Sequence, residues 1–301
     1  MIYSWLLIIT LAYFFLSLSS LGNKLVLAGP SKPTSFTFYV GMLNISVLIF
    51  LPFIAWSFPN ASILWWMIAE AIVFMLGLYT MYWAIEYYDV TKVITTIGAT
   101  QPIFILILTW LIWGEATLGR NGILAFILLV IGNIIISLGK NAKATEGYLK
   151  LTLLAALFFA VDYILSKIIF LSVPFLYGLF WMRMFAFFLA FILLVSKKNR
   201  KEIFEKKTVL NKKTELTFML ANTAGGASNI LQSFAISLAP VAFLPVVNSL
   251  NGLQYVFLFF LTLFVSYFWP KALHEKETKK IIIQKIISII FIASGLALLV
   301  L

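Results

Sequence analysis

The sequence predicts an all-α polytopic membrane protein, with ten transmembrane helices arranged as two inverted five-helix repeats. Three observations carry that prediction. The 301 residues are 62% hydrophobic and only 11% charged, whereas soluble domains carry roughly 25% charged residues. Ten apolar runs each approach the ~20 residues a helix needs to cross the hydrocarbon core. Nineteen of the 22 Lys and Arg residues flank loops of one parity, and one flanks a loop of the other. So much apolar surface has no place in a soluble core, which excludes an ordinary soluble enzyme, a nucleic-acid module and a disordered chain. The runs are continuous rather than alternating, which excludes barrel strands. The absence of cysteine and the single His274 leave no thiolate site, His cluster or triad, so neither catalytic nor metal-binding residues are expected.

The predicted spans are 2–27, 35–57, 63–85, 92–113, 120–139, 148–171, 175–195, 215–238, 241–268 and 281–301. The first lacks a basic leader, has no clear small-residue cleavage site and is too long for a signal core, so it reads as a span. Gly29-Pro30-Ser31-Lys32-Pro33 ends it, Phe58-Pro59-Asn60 ends the second, and Ser172-Val173-Pro174 makes a tight link between the sixth and seventh. The longest connection, 196–215, carries Lys197, Lys198, Arg200, Lys201, Lys206, Lys207, Lys212 and Lys213 and reads as a solvated basic loop with some helix.

The halves 1–144 and 145–301 correspond at four places in the same order. Gly22-Asn23-Lys24-Leu25 matches Leu165-Ser166-Lys167-Ile168, and Pro33 matches Pro174. The stretch from Ala84 to Val90 matches that from Ala235 to Val241, and Gly132 matches Gly295. Five spans per half forces opposite orientations, and inverted repeats mark transporters with a site at the repeat interface. The positive-inside rule puts the Lys-rich odd loops in the cytoplasm and both termini outside. The net charge of +11 is therefore topological, facing anionic headgroups rather than nucleic acid.

These residues resemble the drug/metabolite transporter superfamily, in its ten-helix EamA-like branch. The resemblance covers essentially the whole chain and is carried by Gly22-Asn23-Lys24, the link from Ala84 to Thr91, Gln101-Pro102 and Gly114-Glu115, followed by Gly119, Gly122 and Gly132. It implies membrane transport of small organic molecules; a secondary transporter of the cell membrane, working as an exporter without a cofactor, is expected. The chain departs from the pattern where Phe268-Trp269-Pro270-Lys271 replaces the second Gly-Glu. Of the two arginines common in the second and seventh spans, only Arg183 is present, and Met42 takes the other place. The charge pattern also reverses the family's usual orientation.

Charged groups inside spans are the sharpest functional signal, because each needs a partner or water. Glu70, Asp162, Lys167 and Arg183 qualify. The short 172–174 link makes spans six and seven antiparallel, and places Asp162 and Arg183 at depths within about 1.5 Å of each other, so they can pair, either as a fixed tie between the two helices or as a charged wall of a substrate cavity. Glu70 and Asp162 are the carboxyls available for proton coupling, although Glu70 is expected to snorkel to the outer interface. Asn248, Asn251 and Gln254 step by three along span nine beside Pro245 and Gly252, and either wall a substrate site or bond neighbouring helices. Tyr79, Tyr82 and Tyr163 are aromatic candidates for the same cavity. Lys24 and Lys167, equivalent in the repeat, are gate or headgroup-contact candidates. The partners expected are a small organic solute and membrane lipid. A membrane-embedded enzyme or lipid-handling protein is the competing class, and it lacks a concentrated set of reactive groups.

Overall fold

The computed structural model describes residues 4–26, 32–54, 57–88, 90–114, 118–137, 146–204, 212–268 and 279–300. Outside them lie turn residues 29–31, Asp89, Glu115, Lys140, Lys143, Lys206, Lys207, residues 269–271 and Lys276, together with the side chains of Asn23 and Lys24. Among the described residues every regular element is helical.

In chain order the helices are α1 (Ser4–Val26), α2 (Pro33–Leu43), α3 (Ala61–Tyr87), α4 (Val90–Trp113), α5 (Arg120–Ser137), α6 (Glu146–Ser172), α7 (Phe175–Ala190), α8 (Lys197–Phe204), α9 (Lys212–Leu238), α10 (Leu244–Ser249), α11 (Gly252–Phe268) and α12 (Lys279–Val300). A 3-10 stretch, Asn44–Phe53, extends α2, and another, Phe191–Leu194, extends α7. Among the described residues, eight helices are long and apolar enough to cross a membrane, with α10 and α11 counted as parts of one span. The apolar part of α5, Arg120–Ile136, is shorter. Helix α9 has 27 residues, but Asn222, Thr223, Ser228, Asn229, Gln232 and Ser233 make it polar for a span.

Local chemistry accounts for the boundaries. Pro33 stands at the first turn of α2, where its missing N–H costs nothing. Pro174 precedes α7, and the amides of Val173 and Gly178 close the α6–α7 hairpin onto the carbonyls of Ile169 and Pro174, each at 3.0 Å. Gly114 ends α4 at φ 74°, its amide on the carbonyl of Trp110. That left-handed cap suits glycine because it has no Cβ to clash.

The helices form two compact units, each drawing on both halves of the chain. One contains α1, α5 and α9–α12; the other contains α2–α4 and α6–α8. In the first unit α1 runs along α9 and α5 along α12. The approach is close: a Cβ on Gly22 would sit 2.7 Å from the Ala221 Cβ, and one on Gly132 would sit 2.7 Å from Ile292 Cγ1. The polarity of α9 is absorbed by α1, since Ser228 Oγ donates to the Ala12 carbonyl at 2.7 Å and Gln232 Nε2 donates to Ser228 Oγ at 3.0 Å. Small residues and interhelical hydrogen bonds of this kind hold helices together where lipid offers no hydrophobic drive.

In the second unit α3 runs along α6, α4 also packs on α6, and α7 packs on α2 and α3. Gly41 of α2 meets Ala190 of α7 so closely that a Cβ would lie 2.6 Å from the alanine methyl. Within the basic connection, expected as a loop with some helix, Lys197–Phe204 form the short helix α8, anchored by the buried Ile203. Ser35 Oγ and Tyr39 OH of α2 donate to the carbonyls of Glu202 and Ile203 at 2.8 and 2.9 Å. Those bonds satisfy carbonyls that a helix C-terminus leaves open.

Candidate functional site

The α6–α7 hairpin sets the register of Asp162 and Arg183, and α3 adds Glu70. Residues from the start of α3 (Asn60, Ile63) and from the hairpin (Val173, Pro174, Tyr177) line one cleft of about 620 Å³, so these three helix ends lie together. Tyr177 OH ties the hairpin to the Ser57 carbonyl at 3.2 Å. Counting inward at about 1.5 Å per residue places Glu70 about 13 Å from the start of α3, and Asp162 and Arg183 about 16 Å and about 15 Å from Val173 in the hairpin turn. These depths approach the middle of a ~30 Å hydrocarbon core.

At that depth the Glu70 and Asp162 carboxyls come together, with Arg183 close enough to act on both electrostatically. The Glu70 carboxyl is fully buried and faces Asp162 and Ser166 of α6, with Arg183 of α7 in electrostatic reach of both carboxyls. The Arg183 guanidinium lies over the ring of Phe74, 4.8 Å from its centroid. Phe74 is one turn along α3 from Glu70, so the cation-π contact holds Arg183 on the same stripe of α3. Beyond the Asp162 and Ser166 side chains that Glu70 reaches, neither its oxygens nor Asp162 Oδ1 has a hydrogen-bond partner. Open acceptors beside a guanidinium are equipped to take a proton or a donor group.

The expectation that Glu70 snorkels to water is overturned. Its side chain has 0% exposure, because α6 and α7 pack on the face of α3 that carries it. The sequence alone had not selected Ser166, although it lies in the stretch that matches Gly22-Asn23-Lys24. Nor had it selected Phe74, whose signal is its i+4 spacing from Glu70.

Lys167 is also buried, at 2% exposure, on α6. Tyr163 is buried, whereas Tyr79 is exposed and leans on Trp83 with ring centroids 6.2 Å apart. The Tyr82 ring is stacked on Phe36 at 4.9 Å and 18°, so one of its faces is already occupied by packing.

The first unit carries a separate polar locus, where span nine tightens between α10 and α11. The amide of Asn251 bonds the Asn248 carbonyl, and that of Leu253 bonds the Leu250 carbonyl, both three residues back. The carbonyls of Val247 and Ser249 thereby lose their α-helical donors. Asn133 Nδ2 of α5 takes over the Ser249 carbonyl at 2.9 Å, and Tyr13 OH of α1 approaches the Val247 carbonyl at 3.5 Å. Gly252 admits Asn133, whose Oδ1 lies 2.2 Å from where a Cβ would stand.

Of the predicted stripe, Gln254 Nε2 donates to Ser20 Oγ of α1 at 2.9 Å. The amide oxygens of Asn248, Asn251 and Asn133 are buried without a hydrogen bond. Asn133 had not been selected; its signal is that it is the one amide side chain in the interior of an otherwise apolar span. No group of three or more His, Cys, Asp or Glu among the described residues has the arrangement to hold a metal ion.

No protein-family model matches the chain. No curated protein matches it. A solved protein crystal structure is similar over 99% of this chain and 96% of its own, with a TM-score of 0.68 at 16% identity. A likeness at that identity establishes a shared fold.

Proposed function

We propose that this chain is a secondary transporter that exports a small organic solute across the cell membrane by alternating access. The observation that carries the reading is the buried pair of Glu70 and Asp162 carboxyls, with Arg183 in electrostatic reach of both, on membrane-length helices. Ionisable groups are costly at that depth and are kept there for solute or ion handling.

The reading treats α5 and α9 as spans, which makes ten, grouped as inverted repeats 1–144 and 145–301 with both termini outside. The packing partners support it. Helix α1 packs on α9 and α11, while α6 packs on α3 and α4. A repeat relation that carries α1 onto α6, α3 onto α9 and α4 onto α11 turns each set into the other. It also carries the pairs α2–α7 and α5–α12 onto themselves. Glu70 comes from the first half, and Asp162 and Arg183 from the second, so this site joins the two repeats. Asn248, Asn251 and Gln254 then stand as solute-contact candidates around the tightened turn, and Lys24 and Lys167 as gate or headgroup contacts.

The test is a panel of small organic solutes in proteoliposomes, followed for uptake and efflux with and without a pH gradient. Protein-dependent flux of at least one solute is expected, and Arg183→Gln should abolish it. Flux no greater than in empty liposomes across cationic, anionic, zwitterionic and neutral solutes would overturn the reading.

A further inference from the structure

We infer that Glu70 and Asp162 hold one exchangeable proton between them, balanced by Arg183, so that the cluster is a single-proton site. The inference rests on the transport reading only in assigning that proton as the coupling ion.

The charge count makes the case. A guanidinium stays charged in proteins. Two ionised carboxylates beside one guanidinium leave one uncompensated negative charge, and Glu70 is fully withdrawn from water. An isolated buried charge is too costly to persist and is neutralised instead. Two carboxyls side by side cannot both ionise cheaply, as in any close carboxyl pair. One bound proton makes the cluster neutral; two would leave it positive.

The charged groups acting on Glu70 are Asp162 from α6 and Arg183 from α7, and Ser166 of α6 is the polar neighbour. Of the other charged residues on helices packed against α3, the buried Lys167 of α6 and Lys92 of α4 are not among the groups that act on this carboxyl, and α2 carries no charged residue. The Glu70 and Asp162 carboxyls lie within hydrogen-bond reach of each other, which gives the proton two positions. In a transport cycle the carboxyl O–H bond breaks, its electron pair stays on oxygen, and the proton passes to water on one side. The reverse step loads a proton from the other side.

The test is infrared spectroscopy of the full chain in lipid at neutral pH, reading the C=O stretch of protonated carboxyl and its shift in D2O. Wild type should show one buried protonated carboxyl. Glu70→Gln and Asp162→Asn should each remove the whole band, because either leaves one carboxylate paired with Arg183. Arg183→Gln should double it. Exposed Glu86 provides the control, since Glu86→Gln should leave the band unchanged. Gln imitates a protonated Glu in shape, so Glu70→Gln keeps the test open should Asp162→Asn fail to fold. Absence of the band in wild type, or loss of only half of it in each variant, would overturn the single shared proton. These readouts need no solute, so they stand or fall separately from the flux panel.

Discussion

Replacing Arg183 by Gln should change how stability depends on pH. With the guanidinium gone, nothing balances either carboxyl, and the folded state must hold two protons where wild type holds one. Unfolded carboxyls are ionised above about pH 5. Stability changes with pH as 2.303RT times the protons bound unfolded minus those bound folded, so extra protons in the folded state make stability fall as pH rises. Each extra proton is worth about 1.4 kcal/mol per pH unit. From pH 6 to 8 the variant should therefore lose about 2.7 kcal/mol more than wild type. Asp162→Asn, whose Glu70–Arg183 pair needs no proton, should lose about 2.7 kcal/mol less than wild type. The double variant holds one proton on Glu70 and should parallel wild type. The assay is denaturant unfolding in detergent at several pH values. All other titrating groups are common to the four proteins and cancel in the differences. Four parallel pH dependences would refute the charge accounting.

Further predictions concern packing, the tightened turn and topology. Gly41→Ala should destabilise by about 1–3 kcal/mol from overpacking, less about 1 kcal/mol of helix propensity, because its Cβ would lie 2.6 Å from the Ala190 methyl. The swap Gly41→Ala with Ala190→Gly should recover stability in a double-variant cycle, and additive losses would show that α2 and α7 do not meet there. Asn133→Ala should cost about 1–3 kcal/mol in unfolding experiments by stranding the Ser249 carbonyl. Asn251→Leu should keep the fold and weaken solute binding, and unchanged flux kinetics would remove it from the site. A single cysteine in place of Glu205, in a chain otherwise free of cysteine, should react with an impermeant reagent only from the cytoplasmic side; labelling from outside would reverse the topology.

Legibility in the sequence followed the length of the connections. The similar depth of Asp162 and Arg183 is readable because a three-residue link fixes two helices antiparallel, after which depth is simple counting; the structure puts Arg183 in electrostatic reach of Asp162, without a direct ion pair between them. Glu70 was misjudged because its burial depends on α3 meeting α6, a pairing between the two halves that local pattern does not encode. Its distance from the end of its span looked like access to water until neighbouring helices covered that face. The amide stripe of span nine was read on an ideal 3.6-residue helix. The turn tightens at Leu250–Asn251, and what then matters is which carbonyls lose their donors. Asn133 supplies one of them from 116 positions away in sequence, so only the fold could pair it with Ser249. Tyr82 illustrates the converse, because aromatic content advertises cavity walls and packing equally, and Phe36 had already claimed its ring.

The most direct test of the account is the number of protons moved per solute molecule in proteoliposomes, read by an entrapped pH indicator alongside labelled solute. An imposed pH gradient should drive solute flux, with one proton moved per solute. Glu70→Gln should remove the response to the gradient. Solute flux indifferent to pH and unchanged in Glu70→Gln would contradict the account.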